Sequence, residues 1–232
     1  MELLSYGHAG QPFIVFPSSS GRFYDFENNG MISAAGRFIE QGLIRLFAVD
    51  SIDAQSWDNR EKKPEDKARR HNDYDAYVVS EVVPFIHAAC ASQQRIMCTG
   101  VSMGASHAVV FFFKHPDLFK GTIALSGVYD FHRFLDNYTG DSQDVYANSP
   151  LDFLPDQNSA VYLELYRKSN IIVCTGQGAW EEPMIADTTK LGEVLAAKKI
   201  PCWVDFWGRD VNHDWPWWRK QLPYFLEKLY AG

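Results

Sequence analysis

Ile96-Met97-Cys98-Thr99-Gly100-Val101-Ser102-Met103-Gly104 is the stretch on which the fold turns. Ile96 to Thr99 reads as a short apolar strand, and Ala105 to Lys114 reads as a helix. The glycine-rich centre between them fits the pattern G-x-S-x-G. A serine at such a strand-to-helix turn is held in a strained conformation with its hydroxyl clear of the sheet. The flanking glycines let neighbouring backbone approach where a Cβ would clash. Ser102 is therefore the candidate nucleophile.

Working outward, strands and helices alternate. Apolar runs predict strands at Pro12 to Phe16, Ile44 to Val49, Gly121 to Leu125, Ile171 to Thr175 and Cys202 to Trp207. Helical spacing predicts helices over Met31 to Gln41, Tyr74 to Ala89 with a kink at Pro84, Ile185 to Lys198, and Trp217 to Tyr230. Residues 127 to 169 carry turn clusters and predict an irregular excursion over the site, with one short helix near Ala160 to Arg167. The alternation implies an α/β fold: a mostly parallel central sheet with helices on both faces, and no separate lid domain. No repeat or linker divides residues 1–232, so one domain is expected. In such a sheet the working loops follow the carboxyl ends of the strands.

Composition narrows the partners. Net charge is −7, from 22 Lys and Arg against 29 Asp and Glu, and no basic stripe marks a nucleic-acid footprint. The mixed charges from Asn59 to Arg70 read as a solvated loop. No apolar run reaches the roughly 18 residues of a membrane span, and the N-terminus lacks an export signal, so a cytoplasmic protein is expected. Asn137-Tyr138-Thr139 fits a glycosylation sequon and is read as a chance match. Cys90, Cys98, Cys174 and Cys202 form no C-x-x-C pair and read as reduced core residues. No H-E-x-x-H or similar cluster points to a metal, and no cofactor is expected. Self-association into a homo-oligomer is left open.

A serine hydroxyl needs a base, and histidine suits that task near neutral pH. His213 lies between the last predicted strand and the last helix, where the base belongs. The acid should precede it in sequence, in the loop after Ile171 to Thr175. That loop offers adjacent Glu181 and Glu182, of which Glu181 is favoured, with Asp187, Glu193 and Asp210 as further candidates. Donors to the developing oxyanion are expected from the Met103 N–H and from the loop after Phe16, at Ser19 or alternatively Ser18. Trp57, Trp180, Trp207 and Trp215 are candidates for lining a substrate pocket, with core or rim packing as the alternative.

With these residues placed, the chain resembles the esterase D-type branch of the α/β-hydrolases. That branch includes S-formylglutathione hydrolases, feruloyl and acetyl-xylan esterases, and mycolyltransferases. The resemblance rests on Thr99 to Ser106, Lys114-His-Pro-Asp-Leu-Phe119, Leu125-Ser-Gly127 and Asn212-His-Asp-Trp-Pro-Trp-Trp218, and covers nearly all of residues 10–230. It departs at Pro17-Ser-Ser-Ser20, where His-Gly or Asp-Gly is frequent, and in the acid loop, where glutamate replaces the usual Asp after a Gly-Gln-Gly-Ala-Trp insertion. The short N-terminus implies that the usual first strand is missing. The resemblance implies hydrolysis of a small-molecule ester through an acyl-enzyme on Ser102, and since no separate lid domain fits in 232 residues, short-chain acyl esters are expected rather than long lipids. Acyl transfer to an alcohol or sugar, or a non-catalytic binding role, are the alternatives.

Overall fold

The computed structural model describes residues 1–136 and 138–230. Asn137 of the sequon lies outside them. Seven strands form one sheet: β1 (Leu3–Tyr6), β2 (Gln11–Phe16), β3 (Ile44–Val49), β4 (Ile96–Val101), β5 (Phe119–Leu125), β6 (Asn170–Thr175) and β7 (Trp203–Phe206). Their order is β1-β3-β2-β4-β5-β6-β7, with every neighbouring pair parallel except the antiparallel β1 and β3.

The strands alternate side chains between two cores, because successive Cβ atoms point to opposite faces. Ile14, Phe16, Phe47, Val49, Ile96 and Cys98 join one buried cluster. Phe13, Val15, Leu46, Ala48 and Met97 join the other. With both faces covered, β2 and β4 are buried at every residue and apolar apart from Gln11 and Thr99, as suits a parallel sheet under two helical layers.

Short helix α1 (Asp25–Asn28) was not expected, and α2 (Met31–Ala34) and α3 (Gly36–Glu40) replace the single helix expected over Met31 to Gln41. Helix α4 (Pro64–Tyr77) continues through a π turn (Val78–Val82) into α5 (Val83–Cys90). The π turn precedes Pro84, which has no N–H to donate and whose ring disrupts the regular ladder. The expected solvated loop is corrected: from Pro64 onward it is helix, with Lys67 and Ala68 buried.

Helix α6 (Met103–Lys114) follows β4. The excursion holds a 3-10 turn (Phe131–Phe134) and helices α7 (Gln143–Tyr146), α8 (Pro150–Asp156) and α9 (Ala160–Arg167), more structure than expected. Helices α10 (Glu182–Ala197) and α11 (Trp215–Tyr230) complete the chain, each starting a few residues before its sequence reading. An edge strand at Leu3–Tyr6 is also present that the sequence reading lacked. No helix of the described residues is long and apolar enough to cross a membrane.

One topological feature positions the site. From β2 the chain passes to β3 on one side, then returns to place β4 on β2's other side. The carboxyl ends of β2 and β4 thus feed loops in opposite directions, which opens a crevice there. Pro17–Gly21 leaves β2 at that crevice and Ser102 leaves β4.

Candidate active site

Ser102 has φ 55° and ψ −125°, outside the ordinary regions for a non-glycine residue. The sequence around it makes the turn sterically feasible. A Cβ on Gly100 would lie 2.3 Å from the Gly104 carbonyl group, and a Cβ on Gly104 would lie 2.2 Å from Phe16 O. Both are backbone encounters with no side chain to move aside, so glycine is required at each position. The Ser102 N–H donates to Leu125 O at 2.9 Å, which ties the elbow to the end of β5.

His213 stands in the loop between β7 and α11. Its Nε2 is 2.9 Å from Ser102 Oγ, and its Nδ1 is 3.4 Å from Glu181 Oε2. The ring sits edge-on against Trp218, with centroids 4.9 Å apart. Main-chain bonds fix the loop: His213 N–H donates to Ala179 O (3.0 Å) and Gly178 N–H donates to Val211 O (2.8 Å). Ala179 N–H donates to Asn212 Oδ1 at 2.8 Å. A Cβ on Gly176 would meet Val211 O at 2.1 Å, and one on Gly178 would meet Asn212 Oδ1 at 2.2 Å. The Gly-Gln-Gly-Ala insertion is therefore a close backbone seam between the acid loop and the histidine loop.

Glu181 is 1% exposed and anchored at both oxygens. Oε1 accepts from Ser126 Oγ (2.7 Å) and Gly176 N (3.4 Å), and Oε2 accepts from Thr175 Oγ1 (2.8 Å). Burial pushes the Glu181 carboxyl up, but hydrogen bonds from His213, Ser126 and Thr175 outweigh it and hold it below the ordinary value. The carboxylate is thus ionised opposite the imidazole. Ser126 is itself oriented, since its Oγ accepts from Trp218 Nε1 at 3.1 Å while donating to Glu181.

The other candidate acids lie elsewhere. Glu182 is exposed in the first turn of α10, and Glu193 and Asp210 are exposed. Asp187 is buried, but it accepts from the Tyr129 and Asp130 N–H groups and from Arg133. The carboxylates beside His107, His115 and His132 are Asp53, Asp75 and Asp152, away from Ser102's partner.

Around Ser102 a cavity of about 70 Å³ is lined by Ser19, Met103, Ser106, Val128, Phe134 and Met184. Larger hollows of about 460 and 390 Å³ lie at the excursion and beside the N-terminus, but neither contains Ser102 or His213. Met103 opens α6, so its N–H has no acceptor within the helix. The Ser18 N–H donates to Asp25 Oδ2 at 2.9 Å, which occupies the alternative donor. Ser19 faces the cavity instead.

The tryptophans divide. Trp57 is 1% exposed and packs against His71 and Phe131, which corrects its expected place in the pocket wall. Trp180 is 79% exposed with φ 70°, between the seam and Glu181. Trp215 stacks edge-on against Phe26 and Trp218, and Trp207 against Tyr224. Sequence reasoning missed Ser126, Thr175 and Trp218. Ser126 stood in the Leu125-Ser-Gly127 segment noted there, and it was the available signal. No group of three or more His, Cys, Asp or Glu among the described residues is arranged to hold a metal.

A family model described as putative esterase matches residues 24–229, and the chain belongs to that family. It is a carboxylic ester hydrolase. No curated protein matches it by sequence. Solved structures similar to it include a ferulic acid esterase (17% identity, TM-score 0.70, covering 96% of this chain and 85% of that one). An S-formylglutathione hydrolase from Agrobacterium tumefaciens is similar at 13% identity and TM-score 0.71, covering 95% and 83%. The fluorophosphonate-binding serine hydrolase F of Staphylococcus aureus is similar at 15% identity and TM-score 0.68, covering 95% and 84%. These likenesses establish the α/β-hydrolase fold.

Proposed function

We propose that Ser102, His213 and Glu181 form the catalytic triad of an esterase for short-chain acyl esters. The observation that carries the reading is one imidazole bridging Ser102 Oγ at 2.9 Å and Glu181 Oε2 at 3.4 Å. As Ser102 Oγ attacks the ester carbonyl, His213 Nε2 takes its proton, and the buried carboxylate stabilises the resulting imidazolium. The negative oxygen of the tetrahedral intermediate would face the Met103 and Ser19 N–H groups. His213 then gives its proton to the departing alkoxide, leaving an acyl group on Ser102. Water repeats the sequence, with His213 as base, and releases the acid. The Ser102 proton leaves with the alcohol and one from water replaces it, so Ser102 and His213 end each turnover in their starting protonation states.

The small cavity supports the short acyl chain. A space of about 70 Å³ walled by Met103, Val128, Phe134 and Met184 holds a few heavy atoms. Trp180, exposed beside the seam, is proposed as a rim contact for the alcohol portion, and Trp215, packed edge-on against Trp218, as a further one. The test is labelling with a fluorophosphonate followed by mass mapping. Ser102 should be the only serine modified, and labelling should vanish in Ser102→Ala. Modification of Ser18, Ser19 or Ser20, or none in folded protein, overturns the assignment.

A further inference from the structure

We infer that Asp58 and the buried Asp53–His107 pair are positioning residues that set the Ser19 N–H in register with the Met103 N–H. The inference rests on the reading of Ser19 as an oxyanion donor. Pro17 is buried, but Ser19 and Ser20 at the tip of the loop are exposed, so packing alone does not fix the tip. Three carboxylates hold it instead. Asp25 Oδ2 accepts from both the N–H and the hydroxyl of Ser18 at 2.9 Å. Asp58 Oδ2 accepts from Ser19 Oγ at 2.6 Å and Ser20 Oγ at 2.8 Å. Asp53 Oδ2 accepts from the Ser20 N–H at 3.4 Å. Among the described residues, the Ser19 N–H is the one amide of residues 18–20 that donates to no protein acceptor.

The carboxylates are themselves linked. The Asp53 carbonyl accepts from the Asp58 N–H at 2.9 Å and the Ser56 N–H at 3.0 Å, so the loop after β3 is folded on Asp53. The other oxygen of Asp53 is 2.8 Å from His107 Nε2, and both side chains are fully buried. His107 lies on α6, the helix whose first residue is Met103. A short path therefore joins the two donors: Met103, α6, His107, Asp53, Ser20, Ser19. A buried polar pair of this kind is seldom the most stabilising choice, because desolvation offsets most of its attraction. What it supplies here is a fixed distance between two N–H groups on separate loops. Oxyanion stabilisation depends steeply on that placement.

Asp58→Ala is the primary test, because Asp58 is partly exposed and its loss releases both hydroxyl tethers. On p-nitrophenyl acetate we expect kcat to fall about tenfold, with KM within about twofold. Affinity for a trifluoromethyl ketone, which forms the oxyanion adduct, should fall by the same factor. Asp53→Asn should act in the same direction and more strongly, at matched melting temperature. A kcat within twofold of the parent for Asp58→Ala, or a loss confined to KM, overturns the inference. The underlying reading is checked separately in the parent enzyme, where the Ser19 amide proton should move downfield on binding the ketone. Without that shift Ser19 is no donor. With it, and with Asp58→Ala unchanged in kcat, the donor stands and the positioning role falls.

Discussion

Glu181→Gln isolates the charge of the acid with almost no change of volume. The outcome can be worked from its four partners. The Gly176 N–H can only donate, so the carboxamide oxygen must remain on the side of Ser126 and Gly176. The new NH2 then faces Thr175 Oγ1, which can rotate to accept, and His213 Nδ1. Nδ1 can accept only if the imidazole proton moves to Nε2. That tautomer points a donor at Ser102 Oγ and has no lone pair to take its proton. The same inversion in a serine protease triad costs about ten-thousandfold in kcat. Here the His213–Glu181 contact, at 3.4 Å, is longer than a usual charge-assisted bond, so less orientation is at stake. We expect a loss of about a thousandfold, about 4 kcal/mol of transition-state stabilisation. The assay is kcat and KM on p-nitrophenyl acetate at pH 7, with circular dichroism and melting temperature matched. Glu182→Gln, on an exposed residue, should change kcat less than threefold. A loss under tenfold in folded Glu181→Gln refutes the role of Glu181.

Three further outcomes follow from packing and charge. Gly104→Ala drives a Cβ to 2.2 Å from Phe16 O and should cost more than about 3 kcal/mol, lowering the urea midpoint sharply or abolishing soluble expression; a midpoint near the parent's would contradict the elbow packing. Burial pushes the Asp75 carboxyl up, yet His115 and Lys114 outweigh it and hold it at about 2 against an ordinary 3.8. The unfolded chain therefore takes up the proton first, so this stabilisation, about 2 kcal/mol, is complete above pH 4 and lost as pH falls towards 2. The gap in urea-derived stability between the parent and Asp75→Asn should narrow from pH 6 to pH 3, and a constant gap would refute it. Met184→Ala enlarges the cavity beside Ser102 and should raise the butyrate-to-acetate ratio of kcat/KM about tenfold; an unchanged ratio would place the acyl group elsewhere.

The parts of the site legible in the sequence were those whose chemistry and local geometry coincide. Ser102 announced itself because the elbow needs glycine at 100 and 104 for reasons of backbone contact alone. His213 and Glu181 followed from chain order and from loops at strand ends, and the structure brings all three side chains together. What escaped depends on contacts remote in sequence. Strand β1 is four residues long, and only its pairing with β3 makes it a strand. The start of α4 was hidden by a charged run, although Pro64 at its first turn was a usable signal. Trp57 looked like a pocket wall because an aromatic's burial is set by tertiary neighbours, here His71 and Phe131. Ser126, Thr175 and Trp218 gather around Glu181 from two strand ends and a helix, a convergence with no spacing rule in the chain.

The seam between residues 176–179 and 211–213 gives this enzyme an unusual latitude for redesign. The bonds that bring the acid loop to the base are made by main-chain atoms and one asparagine oxygen, with glycine where the strands of the seam touch. Trp180, Arg209 and Asp214 project from the same loops with exposed side chains. A library randomised at those three positions would therefore alter the exposed surface beside the proposed triad, while the bonds of the seam stay in place. On the proposed triad, chemistry and taste are wired separately, and a search for new ester preferences would begin at these exposed positions without first rescuing the machinery.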